Sequence, residues 1–222
     1  PNPQHLNGQQ ALFVDIGGGS TEISLGNEHE YLYLDSLKLG AIRLTTQFLR
    51  DESGPIAADR YAAVQQHVRH VAVHTMNHLR RHRVELAIGS SGTIENLAEI
   101  AVHLFDKRRL QRDDLLTRSR LKDVVGLLRS LSLAERRKVP GINPERADII
   151  IAGAAIVETL MDDLRLDVLR VSNRGLRDGL LIDYLARSEH ADLVRAVMEG
   201  VGYAVAELAE DHDEVALALQ DR

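Results

Sequence analysis

The stretch VDIGGGSTE, from Val14 to Glu22, decides the fold. An apolar segment leads into Asp15, three glycines follow, and two hydroxyl residues precede the second acid. Glycine loses more freedom on folding than any other residue, so three in succession indicate a sharp turn or a close approach to the backbone. Successive backbone N–H groups of such a turn can point at one anion, and the neighbouring hydroxyls add donors. We therefore predict a phosphate cradle made of Gly17, Gly18, Gly19, Ser20 and Thr21.

Asp15 and Glu22 place a carboxylate at each end of this glycine turn. Two acids beside a phosphate are useful if they hold a divalent cation, orient a water or accept a proton, so both are candidate catalytic residues. The stretch is not a P-loop, because no Lys follows and no helix starts there. It is not a dinucleotide fingerprint either, since the turn leads into another strand. A plain β-hairpin with glycines at positive φ is the alternative.

A second glycine-bracketed turn, Gly89-Ser90-Ser91-Gly92-Thr93, separates a predicted strand from a predicted helix. The free N–H groups and the dipole at a helix N-terminus favour an anion, so these five residues are candidate phosphate ligands. Simple capping explains the motif equally well. In that case Thr93 is the N-cap and Asn96 follows three residues later.

Arginines and histidines supply two further candidate groups. Arg146, at a loop-to-helix junction, can clamp a phosphate, and so can the cluster Asn173, Arg174 and Arg177, although a surface salt bridge explains any single Arg as well. His70, His74, His78 and His82 repeat every four residues along one helix. We expect a solvated polar flank there and keep a zinc site as the alternative, because no further ligand motif accompanies the stripe.

The hydrophobic pattern predicts a mixed α/β sheet flanked by helices. Three short strands from residue 11 to about 38, joined by tight turns, form an antiparallel meander. Helices are predicted over 59–81, from 94 onward, from Ser119, and within the small-residue-rich segment 147–164; strands precede Gly89 and cover 167–173. Residues 133–148 are expected to be loop-rich. Residues 189–210 are expected to form an amphipathic helix ahead of an acidic end.

Composition narrows the function classes. The chain is 44% hydrophobic and 27% charged, with a formal net charge of -6, which is typical of a soluble globular protein and disfavours nucleic-acid or anionic-membrane partners. Aromatic residues make up 4%, which disfavours base-stacking platforms. The absence of Cys excludes disulfides, and we expect a cytoplasmic location. Residues 1–10 lack an initiator Met and are polar, so we expect a linker within a longer protein.

Five segments together resemble the Ppx/GppA family, the exopolyphosphatases and guanosine pentaphosphate phosphohydrolases of the actin-like ATPase superfamily, whose domains are ribonuclease H-like. In chain order they are FVDIGGGSTEISLG, SLKLGAIRLTTQFL, AIGSSGTIENLA, PERADIIIAGAAIVETLM and VSNRGLRDGLL. The resemblance implies a linker over 1–10, the second actin-like domain over 11–186 and a C-terminal helix with an acidic tail over 187–222. It also implies a preceding lobe, absent here, that carries a water-activating glutamate.

The same resemblance implies roles for the candidate residues. Asp15 and Glu22 would hold Mg²⁺ or position water, the glycine turn would cradle a terminal phosphate of polyphosphate or guanosine pentaphosphate, and Arg146 would meet phosphate oxygens. One departure concerns SSG at 90–92, where the family more often has TGG or SGG. We expect this chain alone to be inactive. The alternatives are an ATP-binding kinase or ATPase of the superfamily and a non-catalytic phosphate or nucleotide sensor, and a homodimer is possible.

Overall fold

A computed structural model describes residues 9–27, 30–50, 53–111 and 114–172. Helices and strands alternate after an opening run of three strands, as the hydrophobic pattern predicts. In chain order the elements are β1 (Ala11–Ile16), β2 (Thr21–Gly26), β3 (Tyr31–Leu37), α1 (Ala41–Phe48), α2 (Ala58–Leu79), β4 (Leu86–Ser90), α3 (Ser91–Phe105), β5 (Leu115–Thr117), α4 (Arg118–Ser130), α5 (Leu133–Arg136), a 3₁₀ turn (Pro144–Arg146), α6 (Ile150–Asp163) and β6 (Val168–Val171).

The six strands form one mixed sheet in the order β3-β2-β1-β4-β6-β5. Strands β1, β2 and β3 pair antiparallel, which confirms the predicted meander. Strand β4 pairs parallel with β1 and with β6, and β5 closes the far edge antiparallel to β6. Because β1 and β4 run parallel side by side, the turns that follow them emerge at the same edge of the sheet.

Helix α6 is the centre of the helical layer. All residues from Ile150 to Met161 are buried, and the helix packs against α1, α2, α3 and α4. This confirms the predicted buried helix, and its small residues allow neighbouring helices to approach closely. Helix α2 buries the predicted stripe that includes Tyr61, Val64 and Val68. The alternating apolar positions of β1, namely Leu12, Val14 and Ile16, belong to the same hydrophobic core.

Several elements differ from the sequence-based expectation. Helix α1 and the three-residue strand β5 were not predicted, and the loop-rich segment 133–148 contains the short helix α5 and the 3₁₀ turn. Helix α3 begins at Ser91, so its N-cap is Ser90, and the predicted Thr93 cap is wrong. Thr93 is instead buried at 2% exposure. The clusters predicted at 173–177 and 187–222, and residues 1–8 of the linker, lie outside the described residues.

Candidate functional site

The glycine turn between β1 and β2 is closed by the Gly17 amide, which donates to the Ser20 carbonyl at 2.9 Å. A tight two-residue hairpin requires glycine at positive φ. In the described residues the glycine with a left-handed φ is Gly141, and none of the three turn glycines has one. The plain-hairpin alternative, which calls for glycines at positive φ, is therefore disfavoured.

Helix α1 holds this turn from one side. The amides of Ala41 and Arg43 donate to the carbonyls of Gly17 and Gly18, both at 3.0 Å, and Nε of Arg43 donates to the Gly19 carbonyl at 2.7 Å. The three glycine carbonyls are thus all engaged by α1. Among the described residues, the Gly18 and Gly19 amides donate to no protein acceptor, so they are available to an anion.

The close seating of α1 depends on Gly40. A Cβ built on Gly40 lies 2.5 Å from the carbonyl carbons of Gly18 and Gly19, far inside van der Waals contact. Neither Gly40 nor Arg43 was identified from the sequence as a functional residue. The signal that could have found them is the glycine immediately before an amphipathic segment, LGAIR, which marks the start of a closely packed helix.

Helix α3 brings its N-terminus beside the same turn. Its N-cap Ser90 makes no side-chain capping hydrogen bond, so the first amides of the helix are uncapped and carry the positive end of the helix dipole. The Ser91 hydroxyl accepts from the Ile16 amide at 3.2 Å and donates to the Ile16 carbonyl at 2.8 Å. The ends of β1 and β4 are therefore tied side by side.

Arg146 closes the arrangement from the loop before α6. Its guanidinium lies against the start of α3, because a Cβ built on Gly92 would be 2.5 Å from Cζ of Arg146. No described residue forms a hydrogen bond or an ion pair with this side chain. A half-buried guanidinium without a carboxylate partner, facing a helix N-terminus, is suited to phosphate oxygens.

The loop that carries Arg146 is positioned by the buried amide of Asn96, which is 8% exposed. Nδ2 of Asn96 donates to the Gly141 carbonyl at 2.8 Å, and Oδ1 accepts from the Asn143 amide at 3.1 Å. Asn143 in turn caps the 3₁₀ turn by accepting from the Glu145 amide at 3.0 Å. The sequence pattern indicates for Asn96 only a capping role beside Thr93, whereas in the structure its side chain tethers this loop.

These elements surround an open pocket of about 410 Å³. Six predicted phosphate ligands line it, together with apolar and polar residues from α1 and the loop before α6. The predicted ligands are Gly17, Gly18, Ser91, Gly92, Thr93 and Arg146; the other lining residues are Ile16, Ala41, Ile42, Asn143, Glu145 and Ile149. The glycine turn, the start of α3 and one guanidinium thus line a common space of a size that accommodates phosphate groups.

Five predicted phosphate ligands do not line this pocket: Gly19, Ser20, Thr21, Gly89 and Ser90. Thr21 is fully buried and its hydroxyl donates to the Leu39 carbonyl at 2.8 Å. The hydroxyl of Ser20 donates to Oε1 of Glu22 at 2.6 Å. Both hydroxyls therefore donate within the chain in this structure, and the predicted contacts of Ser20 and Thr21 with phosphate stay predictions.

The two acids form a separate group on the sheet. Asp15 and Glu22 are direct cross-strand partners, so their side chains project from the same face of the meander. Oε1 of Glu22 also accepts from the Ser36 hydroxyl at 3.0 Å, which fixes the carboxylate. Carboxylate oxygens are the ligands that Mg²⁺ prefers, so the pair supplies two side chains of the right type for a divalent cation. Neither acid lines the pocket.

The histidine stripe does not line the pocket; His70, His74 and His78 lie on α2, and His82 follows its end. His70 and His74 are exposed, whereas His78 stacks on Tyr33 at 4.3 Å and on His82 at 5.2 Å between ring centroids. Within the described ranges, no three His, Cys, Asp or Glu side chains come together as a metal-binding group. The stacking gives His78 a packing role between α2 and the edge strand β3.

Comparison with known proteins places this geometry in a family. Residues 3–188 match the sequence profile of the Ppx/GppA phosphatase family. The chain belongs to the Ppx/GppA phosphatase family. The predicted resemblance is thereby confirmed.

Two relatives illustrate the match. A protein of Streptomyces coelicolor described as uncharacterized is 32% identical over 178 residues, which are 78% of this chain and 51% of that protein. A Haemophilus influenzae protein provisionally named an exopolyphosphatase is 27% identical over 186 residues, or 82% of this chain and 54% of that protein. This Ppx/GppA chain therefore spans about half the length of these relatives.

Solved structures share the fold. The exopolyphosphatase from Cytophaga hutchinsonii superposes with a TM-score of 0.73 at 25% identity, covering 83% of this chain and 59% of that one. The Ppx/GppA phosphatase of Aquifex aeolicus gives a TM-score of 0.67 at 24% identity, covering 81% and 58%. In the part of the Ppx/GppA chain that the structure describes, no helix combines the length and apolarity that crossing a membrane requires.

Proposed function

We propose that this chain is the phosphate-binding lobe of a phosphoanhydride hydrolase that releases terminal phosphate from inorganic polyphosphate or guanosine pentaphosphate. The observation that carries the proposal is the convergence of three anion-binding elements on one pocket. These are the glycine turn, whose carbonyls are all engaged by α1, the uncapped N-terminus of α3 and the guanidinium of Arg146, with which no described residue pairs.

In this proposal the chain binds and orients the terminal phosphate. The amides of Gly18 and Gly92 and the guanidinium of Arg146 offset the charge that develops on the phosphoryl oxygens as water attacks in line. Mg²⁺, when bound, neutralises further phosphate charge. Asp15 and Glu22 would hold that cation or position the water, and the hydroxyls of Ser20 and Ser36 fix the Glu22 carboxylate for this task.

The full site extends beyond this chain in the proposal. Ser20, Ser36 and the two carboxylates do not line the pocket, so in this proposal a second surface brings water and substrate to them. We infer that a preceding lobe of a longer polypeptide supplies that surface and the water-activating glutamate. The present chain alone is then inactive but binds phosphate.

Phosphate release by the full-length protein, with polyphosphate and with guanosine pentaphosphate in Mg²⁺, tests the proposal. We expect D15N and E22Q each to reduce kcat by at least about 100-fold, and R146A to raise KM for the same substrate. Exposed residues outside the pocket supply charge-matched controls, D123N for the acids and R137A for the arginine. Unchanged turnover in both D15N and E22Q would refute the site assignment.

One observation favours the alternative of a non-catalytic phosphate sensor. The anion-binding elements surround a pocket within the described chain, whereas the acids lie outside it. Isothermal titration with tripolyphosphate, paired with a phosphate-release assay on the full-length protein, separates the two functions. Binding without release by the full-length protein would favour the sensor, and release would favour the hydrolase.

A further inference from the structure

Ser91 has a backbone conformation that serine rarely adopts. Its φ is +86°, in the left-handed region where the Cβ of an L-residue crowds the following carbonyl. The other described non-glycine residues with positive φ are Lys107 and Arg165, which follow the ends of α3 and α6. Left-handed residues are common after helix C-termini. Ser91 instead lies at the start of a helix, where a left-handed residue is not expected, so its backbone conformation requires an explanation.

The explanation is a pair of hydrogen bonds between the Ser91 hydroxyl and the backbone of Ile16. The hydroxyl accepts from the Ile16 amide at 3.2 Å and donates to the Ile16 carbonyl at 2.8 Å, so it takes the place of a peptide group in the ladder. The backbone register between β1 and β4 ends one residue earlier, at Asp15 and Ser90. The side chain thus extends the pairing by one residue, up to the beginning of the glycine turn.

We propose that Ser91 is a positioning residue that couples the glycine turn to the N-terminus of α3. Both its hydrogen-bonding functions are used by Ile16, so the hydroxyl orients the pocket and does not contact the anion itself. Glycine at this position would relieve the backbone strain but could not make the tie. Alanine would keep the strain and lose the tie. The hydrogen bonds to Ile16 therefore offset the backbone strain at Ser91 and fix the distance between two anion-binding elements.

The inference rests on the proposed function only for the choice of tripolyphosphate as ligand, because the coupling between the glycine turn and α3 is measurable without any ligand. The variants are S91G and S91A, and the matched control is K107G, which relieves a left-handed φ at an exposed position outside the pocket. Hydrogen exchange of the free chain reports local opening at Ile16 and the glycine turn. Isothermal titration with tripolyphosphate in Mg²⁺ reports the alignment of the donors.

We expect amide exchange at Ile16 to quicken about tenfold in S91G and S91A, which corresponds to the loss of one or two hydrogen bonds. The Kd for tripolyphosphate should rise about fivefold or more in both. S91G should unfold within a few degrees of the wild type, since relief of strain offsets part of the loss. A merely structural role would instead lower global stability without selectively opening Ile16. K107G should change neither exchange at Ile16 nor affinity.

Two outcomes separate the two proposals. Wild-type exchange at Ile16 in S91G would overturn the role of Ser91, whatever the affinity. Failure of the wild-type chain to bind tripolyphosphate, with Ile16 still deprotected in S91G, would overturn the proposed function and leave the coupling supported.

Discussion

The substitution G40A probes the contact on which the glycine turn depends. A Cβ on Gly40 lies 2.5 Å from two backbone carbonyl carbons of the turn, and ordinary contact begins near 3.4 Å. Because those atoms are backbone, no side chain can move aside, and α1 and the turn must separate by about 1 Å. The two hydrogen bonds that the amides of α1 donate to the turn, both 3.0 Å long, would stretch to about 4 Å and break.

The magnitude follows from those two effects. Two lost hydrogen bonds contribute about 1 kcal/mol each, and overpacking against backbone adds about 1–3 kcal/mol. We therefore expect G40A to lower the free energy of unfolding by about 3–5 kcal/mol. The displaced turn should also weaken tripolyphosphate binding at least tenfold, because donors misplaced by about 1 Å no longer meet one phosphate.

Urea unfolding followed by circular dichroism measures the first effect, and isothermal titration in Mg²⁺ measures the second. The matched control is G126A, at an exposed position of α4 where a new Cβ meets nothing within 4 Å. That control should gain about 0.5–1 kcal/mol, because alanine is a better helix former. If G40A unfolded within about 1 kcal/mol of the wild type and bound tripolyphosphate normally, the argument from close approach would be refuted.

Three further predictions concern polar side chains. N96A should lower the free energy of unfolding, measured by urea titration, by about 2–4 kcal/mol, because the Gly141 carbonyl and the Asn143 amide lose their partner. It should also weaken tripolyphosphate binding, and an unchanged affinity for tripolyphosphate would contradict the tethering role of Asn96. D15N should abolish any thermal stabilisation of the chain by Mg²⁺; retained stabilisation would exclude Asp15 as a ligand. The pKa of Asp35 lies below its ordinary 3.8, because burial raises it but hydrogen bonds led by that from Thr75 lower it more. The Asp35 carboxylate therefore stabilises the fold at pH above its unfolded pKa, and this contribution is lost as the pH falls through the lower folded pKa. Urea unfolding across acid pH should show the free energies of unfolding of D35N and the wild type converging only at that low pH. A difference that does not change with pH would contradict this.

The sequence predicted the parts of the fold that local pattern determines. The meander, α2 and α6 have strong periodicity or unbroken apolar character, and all three are present. Helix α1 and strand β5 were missed because they are short and depend on tertiary packing. Helix α1 is eight residues long and buries two of them, Ala41 and Leu44, and β5 buries one residue, Leu116.

The candidate site divides in the same way. Glycine-rich turns after parallel strands can be identified from sequence, because chain connectivity alone brings them to one edge of the sheet. The hydrogen-bond acceptor of each hydroxyl cannot be identified from sequence, since it depends on which carbonyl lies nearest after folding. Thr21 and Ser91 were both expected to donate to phosphate, but they donate to the carbonyls of Leu39 and Ile16. Asn96 likewise acts on a loop more than forty residues away.

The use of those hydroxyls within the fold constrains how an anion can be held. With Thr21 and Ser91 engaged internally, the donors on the described lining residues are backbone amides, the side chains of Thr93 and Asn143 and one guanidinium, that of Arg146. Glu145 also lines the pocket, and the whole chain carries a formal net charge of -6. A polyanion in this pocket is therefore under-neutralised by the chain itself. In the proposed function, a cation held near Asp15 and Glu22 would supply the missing positive charge, and phosphate affinity would then depend on the acid pair through electrostatics.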